Sequence, residues 1–339
     1  MSGLSLLISA LAAGVIAWAG AGLVLRLLER RAILDIPNQR SSHSRPTPRG
    51  GGIAVVGSIA IVWVAWWLLD LGPGAWWPIL AATGVLTLVS WADDLRGMPV
   101  WLRLGAHLAC VIAGVSLLPE SQLVFQGVVP WWLDRIAAVV VWLWFVNLYN
   151  FMDGIDGITS VETIAIGGGL IIVSLVGNWE HPAAALALVV AAAAAGFLPW
   201  NWNPARIFLG DVGSIALGYL CGWLLLVAAA EGWWSVALIL PLYYLADATI
   251  TLVLRIIRRE RIWQAHANHF YQHAVRRVSS HARISLAIAA TNALLVVAAV
   301  AGVSLVSAWI AVIFSAAVVV VLLWYLSRGS HNNLDPKQS

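Results

Sequence analysis

The chain has 339 residues, 61% of them hydrophobic and only 10% charged, with a mean hydropathy of +0.87 and a formal charge of +3. Soluble domains carry roughly a quarter charged residues, so this composition excludes a soluble globular protein. The apolar runs are continuous over about 20 residues instead of alternating over about ten, which excludes a transmembrane barrel and leaves an all-α, polytopic membrane protein in a single domain.

The first apolar run, LSLLISALAAGVIAWAGAGLVL, has no basic residue before it and RLLERR after it. A secretory signal has the reverse charge order, so the run is expected to stay as a first span with its N-terminus outside. Eleven spans are expected, at about 3–25, 51–70, 75–92, 101–118, 131–149, 158–177, 182–199, 212–230, 234–257, 284–303 and 305–326. The last two can instead form one re-entrant hairpin, which would leave ten transmembrane helices. Cys110 and Cys221 both sit inside apolar runs, as small core residues with no disulfide framework.

This parity makes one face basic. Every Lys and Arg except Arg135 falls in a loop after an odd-numbered span, at its margin or in the C-terminal tail, and cytoplasmic loops are the basic ones. The four Trp-Trp pairs, at 66–67, 76–77, 131–132 and 233–234, fall at the opposite boundary, where Trp sits at headgroup level. The cytoplasmic loops are therefore about 26–50, 92–100, 150–157, 200–211 and 258–283.

Those loops hold nearly all the chemistry. They read DIPNQRSSHSRPTPRGGG, with His43 and Arg49; WADDLRGMP, with Asp93 and Asp94; NLYNFMDGIDG, with Asn147, Asn150, Asp153 and Asp156; NWNPARIFLGDVGS, with Asn201, Phe208, Gly210 and Asp211; and RRERIWQAHANHFYQHAVRR, with His266 and His269. The opposite loops offer little beyond Asp70, Glu120, Asp134, Glu180 and Glu231. Crossing a membrane requires no such asymmetry, so a composite site at the cytoplasmic interface is expected.

Adjacent Asp93 and Asp94 point about 100° apart at a helix end. One can touch a cation while the other works on a neighbouring group, or both can be a solvated helix end. Asp153 and Asp156, three apart, would share a face on a helical turn, with Asn147 and Asn150 one turn earlier. Two close carboxylates repel unless a cation or proton lies between them; the alternative is a capped turn between spans. Asp211 can N-cap the run that follows. It can also hold Mg²⁺, which takes one or two carboxylates plus phosphate oxygens, beside a helix N-terminus suited to phosphate. Phe208 can stack on a base or serve as a core residue. His266 and His269 lack a nearby third zinc ligand and sit among arginines, as a diphosphate site or an interfacial helix over anionic lipid heads. Asp247, inside the ninth span, is a functional candidate or a partner for Arg255 or Arg258.

Taken together, the five loops resemble the polyprenyl-phosphate N-acetylhexosamine-1-phosphate transferases, of the glycosyltransferase family 4 type, over nearly the whole chain from DIPNQRSSH to HANHFYQ. The resemblance implies transfer of sugar-1-phosphate from a UDP-N-acetylhexosamine to undecaprenyl phosphate, with release of UMP and a need for Mg²⁺, for which Mn²⁺ can stand in. It implies that Asp93 acts on the lipid phosphate with Asp94 beside it, and that Asp211, with Asp94, holds the metal. Asp153, Asp156, His266 and His269 would be catalytic, the histidines touching diphosphate or sugar. Asn147, Asn150, Asn201, Phe208, Gly210, Arg49 and His43 would line the substrates. The histidines are separated here, whereas the translocase of that family has adjacent ones, and Arg49 stands where the translocase has methionine. Both departures point to the branch that initiates O-antigen or related surface glycans. The expected setting is a bacterial inner membrane, multi-pass, with a cytoplasmic active site; membrane lipids are partners, nucleic acid is not, and a homodimer is an open expectation. The rival reading is a transporter for an anionic substrate, which would place its ionisable groups near the bilayer midplane.

Overall fold

The computed structural model describes residues 2–37, 45–72, 76–261 and 267–328. Among them the chain forms helices α1 (Gly3–Arg30), α2 (Gly52–Leu68), α3 (Trp77–Arg96), α4 (Val100–Val115), α5 (Trp131–Phe151), α6 (Ile158–Gly177), α7 (Pro182–Asn201), α8 (Asp211–Ala230), α9 (Trp234–Ile239), α10 (Leu242–Ile257), α11 (Phe270–Val278), α12 (His281–Ser304) and α13 (Ala308–Ser327). Helices α1, α5, α6, α7, α8, α12 and α13 are each long and apolar enough to cross a membrane, and α2 and α4 are shorter apolar helices. The protein is an all-α, polytopic membrane protein. Helices α12 and α13 run over 24 and 20 residues, each long enough to cross by itself.

Span nine departs from expectation. It is broken between α9 and α10 at Leu240 and Pro241, because proline lacks the amide hydrogen and clashes with the preceding turn.

The core centres on α8, whose apolar window is wholly buried. It packs against α3 and α5, while α7 lies against both α1 and α6. Lipid tails are as apolar as leucine, so helices in a bilayer associate through close packing at small residues. Trp142 of α5 shows the result. Its ring stacks on Tyr219 of α8 at 4.6 Å, and its indole N–H donates to the Tyr219 carbonyl at 3.1 Å. Helices α1 and α13 present Leu7, Leu11, Val320 and Val321 outward, as lipid-facing positions do.

Two ends follow from the antiparallel course. At the tryptophan end, Trp76 meets Trp223 edge-on, Trp179 stacks on His181, and Trp234 lies 4.9 Å from Trp309. At the basic end the connection between α1 and α2 carries the only strands among the described residues, β1 (Leu34–Asp35) and β2 (Thr47–Pro48), paired antiparallel with Asp35 opposite Thr47.

Candidate active site

The basic end is assembled by backbone zippering between segments far apart in sequence. The Phe208 amide donates to the Pro48 carbonyl at 2.8 Å, the Gly50 and Gly51 amides donate to the Phe208 carbonyl at 3.1 and 2.9 Å, and the Gly52 amide donates to Leu209 at 2.8 Å. This needs glycine on both sides. A Cβ on Gly52 would lie 2.2 Å from the Gly213 Cα, so α2 and α8 begin backbone against backbone. The contact explains the glycines of PRGGG and GDVGS, and it sets Arg49 beside Asp211.

Arg49 binds two carboxylates. Its Nη2 forms an ion pair with Asp94 Oδ1 at 3.2 Å and a closer one with Asp211 Oδ1. Asn150 Nδ2 donates to the same Asp211 oxygen at 3.0 Å and to Ser214 Oγ at 2.9 Å. Asp94 Oδ2 is buried and has no hydrogen-bond partner. Burial pushes the Asp94 carboxyl up to about 7; Arg49 opposes the rise, and Asp211 and Asp93 add to it.

The 150–157 segment forms the floor. Asn150 and Phe151 end α5, and residues 152–157 form an irregular loop, not the helical turn that would give Asp153 and Asp156 a common face, because each carboxylate has its own anchor. Thr159 Oγ1 donates to Asp153 Oδ1 at 2.6 Å. Burial lifts the Asp153 carboxyl to about 7, against the Thr159 bond and with the Asp211 charge. Asp156 accepts from Asn203 Nδ2 at 2.7 Å and the Ala205 amide at 3.1 Å, and its other oxygen lies 3.1 Å from His281 Nδ1. Burial would raise it, but the bonds from His281, Asn203 and Ala205 outweigh burial and hold it below the usual carboxylate range. Asn201 braces the floor, accepting from the Gly157 amide at 3.0 Å and donating to the Ile207 carbonyl at 3.1 Å.

These groups enclose a cavity of about 210 Å³. Of the expected residues, Arg49, Asn150, Asp153, Asp156, Asn201, Phe208, Gly210 and Asp211 line it. Asp94 joins through Arg49. Asp93 does not line the wall; it closes the α3–α4 turn, accepting from the Met98 amide at 2.6 Å and pairing with Arg103 at 2.5 Å. Asn147 is also off the wall, donating to the Leu143 carbonyl of its own helix at 2.7 Å. His269 is buried behind the cavity, its ring 3.1 Å from Asp247 Oδ1. That contact corrects the expectation for Asp247, which meets neither Arg255 nor Arg258: Arg255 pairs with Glu260 at 2.9 Å. His43 and His266 lie outside the described residues. Asp35, Gln272 and His281 line the cavity without having been singled out in the sequence.

Among the described residues no group of three or more His, Cys, Asp or Glu side chains stands ready to hold a metal ion. Magnesium does not need one, since it takes one or two carboxylates and completes its shell with water and phosphate oxygens. Asp94 and Asp211 are two hard carboxylates joined through one cation, and Asp94 has an unpartnered buried oxygen. That donor set fits Mg²⁺.

Residues 76–229 match the model of glycosyl transferase family 4. The chain is 30% identical over 228 residues to the phospho-N-acetylmuramoyl-pentapeptide-transferase of Limosilactobacillus fermentum, covering 63% of this chain and 69% of that one. The chain belongs to glycosyl transferase family 4, the polyprenyl-phosphate N-acetylhexosamine-1-phosphate transferases. Other relatives in the family match more of its length. Identity is 28% over 313 residues with the decaprenyl-phosphate N-acetylglucosaminephosphotransferase of Mycobacterium leprae, covering 82% of this chain and 79% of the relative. It is 26% over 276 residues with the probable undecaprenyl-phosphate N-acetylglucosaminyl 1-phosphate transferase of Bacillus subtilis, covering 76% and 74%. The stretch matched by the family model contains Asp93, Asp94, Asp153, Asp156 and Asp211; Arg49, Gln272 and His281 lie outside it.

Proposed function

We propose that this transferase moves N-acetylhexosamine-1-phosphate from a UDP-sugar to undecaprenyl phosphate, releases UMP, and so initiates a lipid-linked O-antigen or related surface glycan. The observation that carries the reading is the convergence of Asp94, Asp153 and Asp211 with Arg49 and Asn150 around one cavity at the arginine-rich end. By the positive-inside rule that end is cytoplasmic, which is where a UDP-sugar is found.

An oxygen of the lipid phosphate attacks the sugar-bearing phosphorus of the donor. The phosphoanhydride bond to UMP breaks, and UMP leaves with the bonding electrons. Such a transfer depends on positioning and charge neutralisation more than on a strong nucleophile. Asp211 and Asp94 would hold Mg²⁺, whose charge offsets that of the diphosphate. Arg49, already between those carboxylates, supplies guanidinium donors suited to phosphate. Asn150 fixes the orientation of Asp211, and Phe208 offers a ring for the uracil. The lipid phosphate is already anionic near neutral pH, so a general base contributes modestly. The Asp93–Arg103 pair supports a positioning role for Asp93, with Arg103 beside the acceptor phosphate. The reaction is a single displacement, and a trapped phospho-aspartate would overturn that.

The test is to incubate purified protein with undecaprenyl phosphate, Mg²⁺ and a panel of UDP-N-acetylhexosamines that includes 6-deoxy sugars, and to measure UMP. Release is expected only when donor, acceptor and divalent cation are all present. Flux of the donor into proteoliposomes without UMP release would replace the reading with transport.

A further inference from the structure

Helix α11 is docked by a carboxylate from inside the bundle. Asp247 of α10 is fully buried and accepts from the Phe270 and Tyr271 amides at 3.1 and 3.3 Å and from the hydroxyls of Tyr243 at 3.1 Å and Thr251 at 3.4 Å, with the His269 ring 3.1 Å away. A carboxylate is well matched to the amides of a helix N-terminus, so α11 has a fixed origin. From there Tyr271 reaches over the cavity floor, donating from its hydroxyl to the Phe151 carbonyl at 3.1 Å. The fit is tight. A Cβ on Gly154 would lie 2.1 Å from the Tyr271 oxygen and 3.2 Å from Gln272 Nε2.

Gln272 is the one α11 side chain on the cavity wall. Its amide is oriented by its own helix. Oε1 accepts from the His269 backbone amide at 3.2 Å, completing a capping box. With the oxygen committed there, the NH₂ end is assigned to the Gly154 side of the wall. No described residue accepts from it.

We propose that Gln272 is a specificity-determining residue whose side-chain N–H groups donate to a carbonyl oxygen of the bound donor substrate. The inference rests on the transferase reading above. A neutral amide donor suits a neutral carbonyl, which a UDP-N-acetylhexosamine carries on the uracil and on the acetamido group. The charged part of the donor is served from elsewhere on the wall, by the Arg49 guanidinium. Asp247 is the positioning residue behind this contact, acting through the first turn of α11.

Two variants test it. Gln272→Glu keeps the chain length and an oxygen for the His269 amide but removes the donors; Gln272→Met removes the donors without adding charge. Both are expected to raise the Michaelis constant for the UDP-sugar about tenfold, the size of one hydrogen bond left unmade, with kcat changed about threefold or less. Titration with UDP alone separates the two carbonyls. Equal weakening of UDP assigns the contact to uracil, and unchanged UDP binding assigns it to the acetamido group. If Gln272→Met does not fold, for want of the capping acceptor, Gln272→Glu still decides. A Michaelis constant within about twofold of wild type in the folded variants overturns the inference alone. Wild-type protein that neither binds UDP nor turns over any UDP-N-acetylhexosamine overturns the transferase reading as well.

Discussion

The two ends of the bundle solve the same problem differently. At the tryptophan end, Asp134 and Arg135 are met by the backbone of the α4–α5 connection, and Gln122 of that connection donates to Glu231. Asp134 accepts from the Val124 and Phe125 amides at 3.2 and 2.8 Å, and Arg135 donates to the Pro119 and Gln122 carbonyls at 2.6 and 3.1 Å. The hollows there are apolar, lined by Trp63, Trp67, Trp77 and Leu80 in one case. At the basic end the partners come from distant segments: Arg49 with Asp211, Asp156 with His281, Asn150 with Ser214. Carboxylates there are half-neutralised around a polar cavity. Stability alone favours the first arrangement, since a buried unpaired acceptor costs about 1–3 kcal/mol. The second is the arrangement of a site that receives its missing charge from ligands.

The largest expected effect separates the ends directly. Asp211→Asn should lower kcat/KM about a thousandfold, the scale of losing a principal electrostatic group at a reacting phosphate, while Glu231→Gln, a carboxylate at the tryptophan end, should leave it within about twofold. Measured UMP release checks both. Equal losses at the two ends would erase the distinction.

Next in size is Arg49→Gln. A cation that clamps phosphate as a bidentate donor should cost about a hundredfold in kcat/KM when neutralised, most of it in the donor Michaelis constant. Removing Arg49 also leaves Asp94 and Asp211 facing each other without their shared cation, so Mg²⁺ should raise the melting temperature more in the variant than in wild type. A smaller shift in the variant would mean that Arg49 helps to build the metal site.

Two fully buried aspartates make a finer pair. Asp134 and Asp247 both accept backbone amides, and replacing either by Asn should destabilise the fold by about 1–3 kcal/mol. Only Asp247→Asn should also raise the donor Michaelis constant, because only its amides belong to the helix that carries Gln272. The melting temperature and the Michaelis constant, measured on the same samples, distinguish a shared structural role from a divided one.

How much of this was legible in the sequence follows the same division. A bilayer imposes a length and an apolar content on every crossing, so helices α1 to α8 fall where the apolar runs do. The shared face of the polar loops was legible from arginine and tryptophan alone. Within the site, residues beside turn glycines were readable: Asn150, Asp153 and Asp211 announce themselves in NLYNFMDGIDG and FLGDVGS. His281 is a lone imidazole at a helix start, Asp35 sits in a two-residue strand, and Gln272 is one amide on a basic helix. Each acquires meaning only through the cavity wall that distant segments complete around it, and no local spacing encodes that. His269 shows the same limit, since the sequence does not reveal that its Nδ1 lies against Asp247 of α10.

The smallest effect is the most diagnostic of charge left for a ligand. Asp94 and Asp153 have carboxyls lifted to about 7, whereas an unfolded aspartate titrates near about 3.9. Between those values the folded protein binds more protons than the unfolded chain, so without metal its stability should be greatest at the acid end of the window and fall as pH rises from about 4 through 7. Asp156, held below the usual range, acts in the opposite sense and loses its contribution only as pH falls below that of an unfolded carboxylate. A divalent cation reverses the first trend, because it favours the ionised carboxylates. Its affinity should therefore rise between about pH 6 and 8 with release of protons, readable as a calorimetric heat that depends on the buffer's ionisation enthalpy. Asp94→Asn removes one of the two raised carboxyls and should therefore reduce the number of protons released.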